Sequence, residues 1–219
     1  MAHKLDLYRN VHKAQRVRLF SLAVELGRAD YNDHALVDAL CARLNALVAE
    51  LREHAGNEDR FIHPLLRVKA PETAAALDRG HDDFEEQLRD FQARASRLPL
   101  SAGSRTEEGL DLYRAFWRAI SLYLAHLQEE ETVAMPALWE TCGEEELLEV
   151  MRSFVASRTD SQRLGDLLEQ LPALTPQERT AYLRAATRGD RERASSILEK
   201  LRGRMAEPEL HRLAAELAI

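Results

Sequence analysis

Two stretches of this chain set a histidine and a glutamate four residues apart within a leucine pattern: His54-x-x-x-Glu58 and His126-x-x-x-Glu130. On a helix such residues project from one face, about one turn apart. Each pair is a two-toothed ligand set, one neutral imidazole nitrogen and one anionic carboxylate oxygen. With 8 histidines and 24 glutamates in 219 residues, chance supplies about one pair at this spacing. Three are present, the third being His81/Glu85. The context of the first two is more telling than their number. Pro64 and Pro136 each follow the pair's histidine by ten residues, and His12 and His81 precede the pairs by 42 and 45 residues. The chain reads as two copies of a helical hairpin. Pairing them about a pseudo-twofold axis gathers four histidines and at least two glutamates in one core.

The elements that must position these residues are helices. The first is expected from about Leu5 to Leu26, closed by Gly27. The second is expected from Asp33 to just before Pro71, with a bend at Pro64, because an internal proline removes a backbone bond. The third starts at Pro71 and stops before Pro99; after a loop at Ser101–Ser104 the fourth runs from Arg105 to Trp139. Stepping by three or four along the second helix gives Leu36, Leu40, Leu44, Leu47, Leu51, His54, Glu58, Phe61 and Leu65 on one face. The third gives Ala74, Leu77, His81, Phe84, Leu88, Phe91, Ala95 and Leu98. The fourth gives Leu112, Phe116, Ala119, Tyr123, His126, Glu130, Val133 and Ala137. The first puts His12 in line with Leu5, Tyr8, Leu19, Leu22 and Leu26. Each helix therefore aims one histidine inward, and carboxylates in such seams are costly unless paired or metal-bound.

The remaining histidines fall outside this scheme. His63 corresponds to Met135 in the second copy and is expected to be structural. His34 with Asp38 is a surface or capping contact, His211 a surface residue, and His3 belongs to the terminus. Tyr8 and Tyr123 lie one turn from His12 and His126, as packing aromatics or as hydrogen-bonding support for a bound group.

Composition bounds the rest. Apolar residues make up 45% and charged residues 31%, with only 9 Gly and 7 Pro, a balance that favours helix throughout. A net charge of −7 without a basic block argues against nucleic acid. No apolar run suggests a membrane span or a signal peptide, and Cys41 and Cys142 form no paired motif, so a cytoplasmic protein is expected. Residues 1–142 are expected as a metal-binding four-helix bundle. Residues 143–219 are expected as a helical appendage packed on it: a helix at Glu144–Ala156, another after the Thr175-Pro176-Gln177-Glu178 capping box, and two more at Asp190–Met205 and Pro208–Ala218.

With these residues in hand, the chain resembles the haemerythrin-like family, also called the HHE cation-binding domain. The resemblance covers about residues 5 to 140. It rests on His12, His54-x-x-x-Glu58, His81, His126-x-x-x-Glu130 and the following prolines. It implies an all-α fold, an antiparallel up-and-down four-helix bundle, around two iron ions in a carboxylate-bridged Fe–O–Fe centre. By position, Glu58 and Glu130 would bridge, and His12, His54, His81 and His126 would be terminal ligands. Two departures stand out. Oxygen-carrying members have a histidine where this chain has Glu85, and an aspartate where it has Glu131. Glu130 stays on the seam while Glu131 swings about 100° away, so Glu130 is the expected ligand. Glu85 is a further candidate, in competition with Phe84 for the inward direction. Its charge would favour ferric iron, and with it sensing, peroxide or nitric oxide chemistry, or oxidase activity over reversible oxygen carriage.

Imidazole and carboxylate without thiolate suit iron, and also zinc or manganese. The leading expectation is a di-iron protein that binds or reacts with a small oxidant: dioxygen, peroxide or nitric oxide. Its rival is a non-enzymatic iron or oxygen sensor whose bundle is stabilised by metal and whose C-terminal helices carry the output. A plain helical interaction module with a degenerate site comes third.

Overall fold

A computed structural model describes residues 4–100 and 105–219. The expected loop at 101–104 and His3 lie outside the described residues. The described chain is all-α, with no strand. It forms two compact units, one made of the segment ending at Tyr8 with Arg18–Ser153, the other of Arg9–Val17 with Phe154–Ile219.

The first unit is built on four long helices: the latter part of α1 (Arg9–Arg28), α2 (His34–Phe61), α4 (Pro71–Arg97) and α5 (Arg105–Glu129). Short helices α3 (His63–Lys69) and α6 (Met135–Thr141) extend the second and fourth of these, and α7 (Glu144–Ser157) follows. Asp33 caps α2, its carboxylate accepting from the Leu36 amide at 3.1 Å. The expected bend at Pro64 is a break at Ile62 between α2 and α3, since Pro64 has no amide hydrogen to continue the ladder. The first helix starts at Arg9 rather than Leu5, because Asp6 accepts from the Tyr8 amide and turns the chain just before it.

Two apolar clusters fill this unit. One joins Leu19, Leu22 and Leu26 to Leu44, Leu47, Leu51, Phe84, Phe91, Phe116 and Tyr123. The other joins Tyr8, Ile62, Leu66, Leu77, Ala134, Met135 and Leu138. Along α2, α4 and the fourth helix, the histidines and glutamates of the seam fall between a residue of one cluster and a residue of the other: Leu51 and Ile62, Leu77 and Phe84, Tyr123 and Ala134.

Two seams depart from regular stepping. At the start of α2, Val37 rather than Leu36 is buried, and Leu36 is 42% exposed. Beyond His126 the helix widens into a π turn, Glu130–Ala134, in which the Met135 amide donates to the Glu130 carbonyl. The extra residue in that turn moves the buried positions from the expected Val133 and Ala137 to Ala134 and Leu138, leaving Val133 51% exposed.

Close packing near the other end requires a glycine. A Cβ on Gly109 would lie 2.3 Å from the Tyr31 ring, whose hydroxyl donates to the Leu26 carbonyl at 2.7 Å.

The second unit contains α8 (Asp160–Gln170), α9 (Pro176–Thr187), α10 (Arg191–Leu201) and α11 (Glu207–Leu217) around Leu167, Leu171, Leu183, Ile197, Leu201, Leu210 and Leu213. Helix α8, absent from the sequence expectation, begins with a capping box of Thr159 and Gln162, and α9 with the expected one of Thr175 and Glu178.

Candidate metal centre

The geometry starts from the two i, i+4 pairs. His54 Nε2 lies 3.0 Å from Glu58 Oε1, and His126 Nε2 lies 3.0 Å from Glu130 Oε1. From α4, His81 brings its Nε2 to 3.6 Å from the other oxygen of Glu58. Its ring centroid is 4.5 Å from that of His126. Glu58, His81, His126 and Glu130 offer donor atoms within 4.8 Å of one another, and so do His54, Glu58 and Glu130. The three rings thus turn Nε2 to the same two carboxylates.

Those carboxylates are buried, Glu58 at 2% exposure and Glu130 at 0%. Two anions held together away from water call for positive charge between them. Their neighbours register the field. Burial raises the Tyr8 pKa well above the ordinary tyrosine value, and the charges of Glu58, Glu130 and Asp6 raise it further. For His81 burial disfavours the charged form, but Glu58, Asp59 and Glu130 outweigh it and raise the pKa.

Gly80 makes room for the fourth helix. A Cβ there would stand 2.7 Å from Nδ1 of His126, so α4 can approach that ring only where it carries no side chain. A glycine inside a helix, next to a seam histidine, was the available signal for this position.

The other expected ligands are placed as follows. His12 is fully buried on α1, within Arg9–Val17 and one turn beyond Tyr8. Glu85 is turned away from the centre. Its two oxygens accept from Arg52 Nε and Nη2, both at 2.8 Å, while Phe84 takes the inward direction and stacks on Tyr123 at 4.5 Å. Neighbours about 100° apart on a helix cannot both face the core, and the apolar one does. Glu131 is half-buried beside the fully buried Glu130. His34, Asp38 and His211 are exposed. His63 was expected to be structural; it is fully buried and its Nδ1 lies 3.0 Å from Asp59 Oδ1. Together with His81 these two residues form a second group of donor atoms.

The model of the hemerythrin HHE cation-binding domain matches residues 3–138. The chain belongs to this family. No curated protein matches the chain, and no solved structure does. The match ends at the residue where the fourth helix has passed its π turn and its last buried leucine, Leu138. A hemerythrin HHE domain binds cations, and the residues present fit one. Imidazole nitrogens and carboxylate oxygens converge without a thiolate, a donor set for iron, zinc or manganese rather than for a soft ion. Gly80 keeps the space that the His126 ring needs. Among the described residues, no helix is long and apolar enough to cross a membrane.

Proposed function

We propose that the chain holds two iron ions between Glu58 and Glu130 and that this centre binds or reacts with a small oxidant, namely dioxygen, peroxide or nitric oxide. The observation that carries the reading is the burial of two carboxylates, each in contact with an imidazole Nε2. Glu58 and Glu130 would serve as the bridging carboxylates, and His54, His81 and His126 as terminal ligands. His12 completes the set, by its match to the family's first histidine. Glu85 and Glu131 are not in it.

Bound iron would supply open coordination positions and a change of oxidation state. The chain's own residues do the rest. The imidazoles must be neutral at Nε2 to bind, so each keeps any ring proton on Nδ1. Tyr8 keeps its phenolic proton, because its pKa is raised, and is a hydrogen-bond donor close to the carboxylates. The apolar clusters on both sides keep bulk water from the ligands.

The test is elemental analysis of untagged protein from iron-supplemented cells. Two irons per chain are expected; folded protein without metal would overturn the reading. Glu58→Ala should lose at least one equivalent together with the near-ultraviolet absorption of the iron-loaded protein. Mixing reduced protein with dioxygen, hydrogen peroxide or nitric oxide in a stopped-flow instrument should change that absorption with at least one of them.

A further inference from the structure

We infer that Asp59 and His63 are positioning residues that fix the tautomer and the ring plane of His81. The inference rests on the reading of His81 as a metal ligand through Nε2. An imidazole that binds a cation through Nε2 carries its proton on Nδ1, and metal-binding histidines commonly give that proton to a carboxylate or carbonyl. Here Asp59 Oδ1 stands at ion-pair distance, 3.3 Å from His81 Nδ1 on the side of the ring away from Glu58, and a small turn of either side chain would align the two for a hydrogen bond.

Asp59 by itself would hold His81 loosely, because its side chain is 48% exposed and water competes for it. His63 supplies the restraint. It is fully buried just beyond the break at Ile62, and its Nδ1 lies 3.0 Å from Asp59 Oδ1 and 3.2 Å from Asp78 Oδ1. The hydrogen bond is to Asp78, with Asp59 at ion-pair distance, so this nitrogen carries the proton. Asp78 is held in turn by Arg67, which donates to it at 2.8 Å. The His63 ring lies nearly parallel to that of His81, at 5.1 Å between centroids and 15° between planes. His126 meets the His81 ring at 4.5 Å and 57°. His81 is therefore bounded by His63, by His126 and, at Nδ1, by Asp59.

The asymmetry of the repeat points the same way. Asp59 corresponds to Glu131, so both copies have a carboxylate there, but His63 corresponds to Met135. Only the first copy can anchor its carboxylate through an imidazole. The copy so equipped serves a histidine carried on α4, a different helix from Asp59.

The experiment compares the full chain with Asp59→Ala, Asp59→Asn and His63→Phe. The last keeps a buried ring against His81 and removes the donor. Ring ¹⁵N shifts of His81, assigned by their loss in His81→Gln, are read in Zn²⁺-loaded protein and in metal-free protein at alkaline pH. Zn²⁺ affinity and stoichiometry are measured against a competing chelator. The wild type should hold the proton on Nδ1 in both states. Asp59→Ala and His63→Phe should mix the tautomers and weaken Zn²⁺ binding by about 10–100-fold, with stoichiometry at saturation unchanged. Asp59→Asn, which keeps an acceptor oxygen, should recover much of the loss. An Nε2 proton in the wild-type metal-free protein, or affinities within about twofold of wild type in both variants, would overturn the inference. So would loss of one zinc equivalent in Asp59→Ala with the remaining affinity intact, because Asp59, His63 and His81 would then be holding a cation themselves. A wild type that takes up no zinc would sink the metal reading alone, since the metal-free tautomer still decides the role of Asp59 and His63.

Discussion

Gly80 and Glu85 lie on either side of His81 in α4, and only Gly80 bears on the centre. At Gly80 an added Cβ would meet Nδ1 of His126 at 2.7 Å. Gly80→Ala gains helix propensity of about 1 kcal/mol and loses a comparable amount or more to overpacking, about 1–3 kcal/mol. Its stability should fall by no more than about 2 kcal/mol, while its metal affinity should fall by at least about tenfold as the displaced ring leaves its ligand position. Thermal melts of the metal-free variant, set beside metal titrations, separate the two effects. Glu85 is the opposite case. Its carboxylate is committed to Arg52 on a partly exposed face, where such pairs contribute less than about 1 kcal/mol. Glu85→Ala should therefore lower stability slightly and leave the metal content per chain as in wild type. A variant that lost metal would return Glu85 to the ligand set.

The π turn decides which residues of the fourth helix face the core beyond Glu130. Regular stepping predicts Val133 and Ala137, whereas the extra residue in the turn buries Ala134 and Leu138. The contrast can be checked with one charge at neighbouring positions. Val133→Glu should change stability by no more than about 0.5 kcal/mol, while Ala134→Glu, which buries an unpaired carboxylate, should cost about 3 kcal/mol or more in urea unfolding. Equal effects would mean that the helix runs on without the turn. What could be read from the sequence follows the same division. The long helices and the convergence of His54, Glu58, His81, His126 and Glu130 follow from periodicity, which an uninterrupted helix obeys, and the break follows from Pro64 itself. The shift to Ala134 depends on a backbone irregularity that residue types do not announce. His63 is not legible from the repeat, which carries only what both copies share. Helix α8 is not legible from periodicity because its apolar stripe is short, although Thr159 and Gln162 form a capping box that marks its start.

At the scale of the whole molecule the chain has two compact units, and one continuous helix, α1, contributes residues to both. The part counted with the second unit carries His12 and, beside it, Lys13. Lys13 donates to both oxygens of Glu178 at 2.7 Å, and Glu178 also accepts from the Thr175 amide at 2.8 Å as the reciprocal half of the α9 capping box. Burial alone would raise the Glu178 pKa, but Lys13 and Thr175 outweigh it and hold the carboxyl at about 2, against an ordinary value of 4.5. The sign follows from the depressed folded value: the contribution is complete above about pH 4.5 and disappears as the pH falls towards 2. Partial exposure of both groups limits it to less than about 1 kcal/mol. Glu178→Gln keeps an oxygen for the capping box and removes the charge. Urea unfolding of wild type and variant should therefore differ by up to this amount near neutral pH, with the gap closing between about pH 4.5 and 2. A gap independent of pH would mean that Lys13 and Glu178 are held by packing and capping alone, and that charge plays no part in fixing the end of α1 that bears His12.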